Sequence, residues 1–180
     1  MEKKIFTIPN ILSMFRLCLI PVFVWLYCAK EEYSLTAGVL SLSGLTDLAD
    51  GFIARRFHMV SDLGKILDPV ADKLTQAAML FCLVMRFPMM WSILLLLFVK
   101  EISTGVTALL VVRKSGVVTG AVWHGKATTA LLYAVMLLHL VWFHIPPAVS
   151  NLLIGLCIAM MLYSWARYGW HNIKSLAVSG

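Results

Sequence analysis

The sequence predicts an all-α protein whose six transmembrane helices form one membrane domain over residues 1–180. Of the 180 residues, 61% are hydrophobic and only 13% are charged, and the mean hydropathy is +0.87. Soluble domains are about 45–50% apolar and about 25% charged. The apolar residues also fall into runs of roughly 20, the length that an α-helix needs to cross the hydrocarbon core. Composition and run length together indicate a polytopic membrane protein.

Six candidate spans follow one another along the chain and leave no room for a soluble domain. Pro88 interrupts the chain between the third and fourth spans, and Pro146 and Pro147 separate the fifth from the sixth. Residues 1–10 carry two lysines before Pro9 and are compatible with a short N-terminal interfacial helix. The spans are predicted near residues 11–29, 34–55, 66–86, 89–112, 127–144 and 147–168.

Lysine and arginine are distributed unevenly between the ends of these spans. With a cytoplasmic N-terminus, ten of them fall on the cytoplasmic side, and Lys30 and Arg86 fall on the other. Because basic residues concentrate on the cytoplasmic side of membrane proteins, we expect both termini inside a bacterial-type cytoplasmic membrane. The ten are Lys3, Lys4, Arg55, Arg56, Lys65, Arg113, Lys114, Lys126, Arg167 and Lys174.

Four aspartates lie at regular spacing inside the second and third predicted spans. A carboxylate at membrane depth is energetically costly and marks a functional site by default. Asp47 and Asp50 are three residues apart, and Asp68 and Asp72 are four apart, so each pair shares one helix face. Carboxylate oxygens of this kind favour Mg²⁺, Mn²⁺ or Ca²⁺ over zinc. In the predicted orientation the four acids lie near the cytoplasmic surface.

Small and basic residues accompany these acids. Gly51 and Gly64 place no side chain beside the carboxylates, and Ala54 is small, so that a bulky ligand can approach the backbone. Arg55 offers a planar guanidinium group that suits phosphate oxygens. Together with the acids, these residues indicate a site for a diphosphate bridged by metal ions.

Two other interpretations of the acids remain open. A divalent-cation transporter also places carboxylates inside the membrane, although it needs them along the whole path and here they gather at one end. An ion-pair network is the second interpretation. In it the acids pair with neighbouring bases: Asp50 with Arg55, and Asp68 and Asp72 with Lys65 and Lys73.

The order of these residues resembles the signature of the CDP-alcohol phosphotransferase (CDP-alcohol phosphatidyltransferase) family. That signature reads Asp-x2-Asp-Gly-x2-Ala-Arg-x8-Gly-x3-Asp-x3-Asp. Members of the family are integral membrane enzymes, usually homodimers, that transfer a substituted phosphate from a CDP-linked donor to an alcohol and release CMP. The chain matches every fixed position, at Asp47, Asp50, Gly51, Ala54, Arg55, Gly64, Asp68 and Asp72.

The resemblance implies a role for each matched residue. Asp47, Asp50 and Asp68 are implied to bind two divalent ions, Mg²⁺ or Mn²⁺. Asp72 is implied to help hold a metal and to act as the general base. The residues implied to bind CDP are Asp50, Gly51, Ala54, Arg55 and Gly64. On the first helix, Asn10 either contacts the donor or a metal or caps the helix, and Arg16 either snorkels or closes the site.

The flanking sequence resembles bacterial phosphatidylglycerophosphate synthases over most of residues 8–130. That resemblance implies CDP-diacylglycerol as the donor and glycerol 3-phosphate as the acceptor. The acceptor is a dianion and needs cations besides the metals. Two departures leave cardiolipin synthase chemistry, with phosphatidylglycerol as acceptor, and inositol phosphate as alternatives: Lys100 replaces an arginine, and Ala127 replaces a lysine. The candidate acceptor-binding residues are Arg113, Lys126, Lys100 and Lys114.

Overall fold

Six α-helices run through the part of the chain that the computed structural model describes, namely residues 8–56, 64–115, 123–142 and 144–178. No strand occurs within these ranges, so the all-α, six-helix prediction is confirmed. Residues 1–7, which make up most of the predicted interfacial helix, lie outside the described ranges. The helices are α1 (Ile8–Cys28), α2 (Tyr33–Arg56), α3 (Gly64–Val84), α4 (Met90–Ser115), α5 (Trp123–Val141) and α6 (Pro147–Val178).

Three segments of the described helices are long and apolar enough to cross a membrane. They are Asn10–Cys28 in α1, Met90–Val111 in α4 and Pro147–Trp170 in α6, and α5 adds the shorter apolar stretch Gly125–Val141. In α2 and α3, two aspartates and two basic residues per helix lower the hydropathy. Large apolar side chains are exposed on α1, α2, α3 and α4 alike, which agrees with a lipid-facing surface. Examples are Trp25, Leu45, Phe81 and Ile102.

The predicted bounds of the last two helices differ from the observed ones. α5 runs over Trp123–Val141 rather than 127–144. Its start was missed because the first turn contains histidine, glycine and lysine, which lower the hydropathy below that of a membrane span. α6 continues to Val178, ten residues beyond the predicted end. Its apolar part ends at Trp170, and residues 171–178 contain no proline or glycine that would stop the helix earlier. Hydropathy therefore located the apolar segments but not the polar helical extensions.

Contacts divide the chain into two units. The first consists of residues 1–86 with 137–143, and the second of residues 87–136 with 144–180. The first unit contains α1, α2, α3 and the last turn of α5. The second contains α4, α6 and the rest of α5. The four aspartates belong to the first unit, and the predicted acceptor-binding residues belong to the second.

A tight turn joins α1 to α2 in the first unit. Glu31 has a φ of 55°, a left-handed conformation that costs a non-glycine residue about 1–2 kcal/mol. The Glu32 amide donates to the Leu26 carbonyl oxygen at 3.0 Å, which satisfies one of the carbonyl groups left unpaired at the end of α1. The chain thereby reverses. α2 runs back along α1, and its aspartates arrive beside the beginning of α1.

Contacts near both ends show that α3 runs parallel to α1. Ser13 contacts Asp68 near the start of the two helices, and Cys28 contacts Cys82 near their ends. The two contacts join residues 55 and 54 positions apart, so the helices keep one register over about four turns. Buried apolar side chains fill the space within the first unit, including Phe23, Leu40, Met79, Leu80 and Leu83.

The second unit is built on the contact between α4 and α6. Trp165 Nε1 donates to Ser103 Oγ at 2.7 Å, and both residues are half-buried. Near the start of α5, a Cβ atom added to Gly125 would lie 2.5 Å from the Tyr168 hydroxyl of α6. Glycine therefore leaves room for the Tyr168 side chain against the α5 backbone. The core of this unit includes Ile93, Leu97, Ile154, Cys157 and Met161.

Replacing Phe23 with alanine is expected to destabilise the protein, because this side chain is fully buried in α1. Truncation of a buried phenylalanine costs about 3–5 kcal/mol through lost packing and the cavity that it leaves. The matched control is Phe81→Ala in α3, where the ring is 58% exposed. Thermal unfolding in detergent micelles measures both. Equal loss of stability in the two variants would contradict the predicted core.

Candidate active site

An ion pair between α1 and α2 holds the first aspartate. Arg16 Nη1 donates to Asp47 Oδ1 at 2.5 Å. The Arg16 side chain is fully buried, whereas 42% of the Asp47 side chain is exposed. The buried guanidinium therefore orients the carboxylate and leaves it accessible to a ligand. Of the two interpretations of Arg16, the structure supports the one that places it at the site.

A hydrogen bond between α1 and α3 holds the third aspartate. The Ser13 hydroxyl donates to Asp68 Oδ1. Asn10, Ser13 and Arg16 follow one another at intervals of three residues, so they share a face of α1, and all three are buried. Sequence reasoning singled out Asn10 and Arg16 but missed the role of Ser13. The detectable signal was this row of polar residues in an otherwise apolar helix.

A glutamine one turn along α3 holds the fourth aspartate. Gln76 Nε2 donates to Asp72 Oδ2 at 2.8 Å, and Gln76 is completely buried. Lys73 Nζ lies 3.9 Å from the same oxygen, at the limit of an ion pair, as the ion-pair interpretation expected. Gln76 was also missed in the sequence, although its spacing of four from Asp72 places both on one helix face.

Gly64 is the first residue of α3 and is buried. Asp68 and Asp72 follow it at intervals of four, so one face of the helix carries the glycine at its N-terminus and both carboxylates behind it. Amide groups at a helix N-terminus favour negative charge. The role of Gly64 in CDP binding stays a prediction.

The remaining motif residues belong to the last turns of α2. Their backbone is helical, but their side chains lie outside the part of the chain that the structure describes. Four of the eight motif residues are described with their burial: Asp47, Gly64, Asp68 and Asp72. Contacts to α1 or within α3 hold the three aspartates among them. The predictions that lie outside the described side chains are Asp50, Gly51, Ala54 and Arg55.

The carboxylate oxygens of the motif are chemically suited to bind a hard divalent cation. The acids of the motif supply carboxylate oxygens, the ligands that Mg²⁺ and Mn²⁺ prefer. Among the side chains that the structure describes, no group of three histidine, cysteine, aspartate or glutamate residues is arranged to hold a metal ion. Asp50, the fourth acid of the predicted set, is outside that search. The metal site stays a prediction.

The predicted acceptor-binding residues belong to the second unit. Lys100 lies in α4 with its side chain only 7% exposed, and its Nζ is 3.7 Å from Glu101 Oε1. Arg113 and Lys126 are exposed, which agrees with phosphate binding and equally with a role in setting membrane topology. The side chain of Lys114 lies outside the described residues. The pair that Lys100 forms with the adjacent Glu101 fits a structural role as well as a functional one. The acceptor-binding roles of all four residues stay predictions.

Comparison with protein families gives one match along most of the chain. The family model described as CDP-alcohol phosphatidyltransferase matches residues 6–168. The matched range includes all eight motif positions, the polar face of α1 and the basic residues of α4 and α5.

Individual relatives match over shorter segments. A cardiolipin synthase (CMP-forming) from Streptomyces coelicolor is 46% identical over 76 residues, covering 39% of this chain and 35% of the relative. The human cardiolipin synthase (CMP-forming) is 52% identical over 69 residues, covering 38% and 23%. A CDP-diacylglycerol–glycerol-3-phosphate 3-phosphatidyltransferase from Pseudomonas fluorescens is 38% identical over 86 residues, covering 47% and 44%. The chain thus matches less than half the length of each of these relatives.

Asp47→Asn is expected to destabilise the protein by about 3–5 kcal/mol, because it removes the carboxylate that compensates a fully buried arginine. Arg16→Met removes the other charge. The double variant is expected to lose about 1–3 kcal/mol less than the sum of the single variants, since the two residues interact directly. Denaturant unfolding of the solubilised protein measures all three.

The pair Lys73 and Asp72 serves as the control cycle, because it is partly exposed and 3.9 Å apart. Its coupling energy is expected to stay below about 1 kcal/mol. Additive effects of Asp47→Asn and Arg16→Met would mean that the ion pair contributes nothing to folding.

Proposed function

The chain belongs to the CDP-alcohol phosphatidyltransferase family, and from that premise we propose that it transfers the phosphatidyl group of CDP-diacylglycerol to an acceptor alcohol and releases CMP. The observation that carries the proposal is the set of aspartates on α2 and α3 whose carboxylates are held by α1 and by Gln76. An ion-pair network alone does not account for Asp47, which stays 42% exposed although its partner is buried.

Two divalent ions, Mg²⁺ or Mn²⁺, are part of this proposal. Asp47, Asp50, Asp68 and Asp72 would hold them through carboxylate oxygens. Bound there, such ions neutralise the charge of the donor diphosphate and stabilise the leaving CMP. Arg55, Gly51, Ala54, Gly64 and Asn10 would complete the CDP site.

The chain's own residues then have defined tasks. Ser13 and Arg16 keep the carboxylates of Asp68 and Asp47 oriented, so that little reorganisation is needed when the donor binds. Asp72 accepts the proton of the acceptor hydroxyl as the hydroxyl oxygen attacks the phosphorus that carries the lipid. A new bond forms between that oxygen and phosphorus, the bond to CMP breaks, and Gln76 holds Asp72 in place through Oδ2.

Glycerol 3-phosphate is the acceptor that we propose first. Support comes from the Pseudomonas relative, whose name states this acceptor, and from Lys100, a buried cation able to compensate a phosphate dianion. Arg113, Lys126 and Lys114 would add positive charge at the helix ends.

Phosphatidylglycerol is the second candidate acceptor. It is favoured by the Streptomyces and human relatives, both named cardiolipin synthase (CMP-forming). Both acceptors present a glycerol hydroxyl group on a molecule that carries a phosphate, so the same general base serves either. The two differ in charge and in whether the acceptor arrives from water or from the membrane.

Topology and assembly complete the proposal. The count of basic residues supports a cytoplasmic location for both termini and the acids, where glycerol 3-phosphate is available from water. The family resemblance implies a homodimer in a bacterial-type cytoplasmic membrane.

The acceptor is tested with purified protein, CDP-diacylglycerol, Mg²⁺ and a panel of acceptors. We expect CMP release that requires the metal and gives phosphatidylglycerophosphate with glycerol 3-phosphate. Cardiolipin formed from phosphatidylglycerol, with no reaction of glycerol 3-phosphate, would select the second acceptor. No CMP release with any acceptor, combined with divalent-ion flux in liposomes, would overturn the enzyme assignment in favour of a transporter.

Asp72→Asn is expected to lower turnover at least about 100-fold, since it removes the proton acceptor, while binding of the CDP donor is largely retained. Gln76→Met is expected to lower kcat about tenfold, because a hydrogen bond to a charged group contributes about 1.5–3 kcal/mol. Initial rates of CMP release and donor-binding titrations measure both effects.

The matched control is Thr75→Val, the neighbouring buried residue whose hydroxyl bonds to the Ala71 carbonyl oxygen. Its kcat should stay close to that of the original protein. Loss of donor binding in Asp72→Asn, with turnover of the bound donor unchanged, would contradict the assignment of the general base.

A further inference from the structure

Three sulfur atoms meet where α1 and α3 end. Cys28 Sγ lies 3.9 Å from Cys82 Sγ and 4.0 Å from Met85 Sδ. Cys28 is the last residue of α1, and Cys82 and Met85 are three residues apart across the end of α3. The Met85 amide donates to the Cys82 carbonyl oxygen at 3.2 Å, which keeps the two residues on one side of the turn. We refer to these three residues as the sulfur cluster.

The sulfur cluster is far from the aspartates. Ser13 contacts Asp68, and fifteen residues separate Ser13 from Cys28 along α1, which corresponds to about 22 Å of helix. Because α1 and α3 are parallel, the acids lie at one end of this helix pair and the sulfurs at the other. None of the roles proposed for the phosphatidyl transfer uses the cluster.

We propose that Cys28, Cys82 and Met85 form a binding site for a soft monovalent metal cation, copper(I). Thiolate and thioether sulfurs are the ligands that select copper(I), whereas carboxylate and carbonyl oxygens select the hard cations. Cys28 Sγ lies 3.9 Å from Cys82 Sγ and 4.0 Å from Met85 Sδ. At such a separation one ion can contact two sulfurs at about 2.3 Å each, the usual length of a metal–thiolate bond.

Accessibility and charge agree with this assignment. Cys82 is fully buried, while Cys28 is exposed and Met85 is 71% exposed, so an ion can enter past the two outer ligands. Binding releases two thiol protons to solvent and leaves two thiolates around one positive ion, a net charge of −1. Arg86, the residue after Met85, contributes a positive charge to this end of α3 and places its guanidinium over the Tyr33 ring at 5.1 Å.

The test uses the full chain in detergent micelles, kept reduced and free of oxygen. Copper(I) is titrated against a chromophoric chelator of known affinity. We expect one copper(I) ion per chain and an X-ray absorption spectrum with sulfur ligands only. Cys28→Ser and Met85→Leu are expected to weaken binding by about tenfold or more, since even changes outside the ligand set cost roughly 10–100-fold.

Two matched controls are available, one in the first unit and one in the second, near its beginning. Cys18→Ser removes an exposed cysteine of α1, and Met89→Leu removes an exposed methionine four residues after Met85. Both should bind copper(I) as the original protein does. Met85→Leu and Met89→Leu change exposed side chains, so both variants should give the size-exclusion profile of the folded protein. Cys82 is buried, and the test therefore does not depend on a variant at that position.

Several results would overturn the proposal. Binding that survives both Cys28→Ser and Met85→Leu would show that the copper(I) lies elsewhere. Binding that is lost equally in the controls would indicate unspecific thiol chemistry. A Cys28–Cys82 disulfide that persists under the reducing assay, found by mass spectrometry, would show that the thiols pair with each other instead. Tighter binding of zinc(II) than of copper(I) would refute the assigned class of metal.

Discussion

The cost of placing carboxylates inside an apolar helix bundle controls the architecture of the first unit. Asp47 is compensated by a fully buried arginine of α1, Asp68 by a buried serine of the same helix, and Asp72 by Gln76 one turn along. Removing one member of such a set leaves a polar group or charge that the interior cannot solvate. The position of α1 between α2 and α3 therefore depends on these polar contacts as well as on apolar packing.

These contacts also fix the orientation of the carboxylates on which the proposed function depends. Arg16 is buried while Asp47 remains partly exposed, so the charge that holds the carboxylate is shielded from water and the carboxylate itself is not. A preorganised carboxylate needs little rearrangement when a charged donor binds, which is where electrostatic catalysis gains most of its effect. The polar face of α1 thus belongs to the candidate site as much as the motif on α2 and α3 does.

The parallel packing of α1 and α3 separates two kinds of chemistry within one unit. The Ser13–Asp68 contact lies near the beginning of both helices, and the sulfur atoms of Cys28 and Cys82 meet at their ends. Hard and soft cations distinguish these donors by ligand type. A divalent ion at the aspartates and copper(I) at the sulfur cluster would therefore not compete for one site, although the same two helices position both.

The sequence alone determined the all-α class, six helices close to their observed places, and the aspartates that share helix faces, because hydropathy and helical periodicity are local properties. The spacing of four between Asp72 and Gln76 in α3 is also a local signal, although their hydrogen bond was not predicted from it. Only the tertiary structure decided that Arg16 pairs with Asp47, that Ser13 bonds to Asp68, and that Cys28 meets Cys82. Each of these contacts joins residues 31 to 55 positions apart. The register between helices depends on how their faces pack, and no local pattern in the chain encodes it.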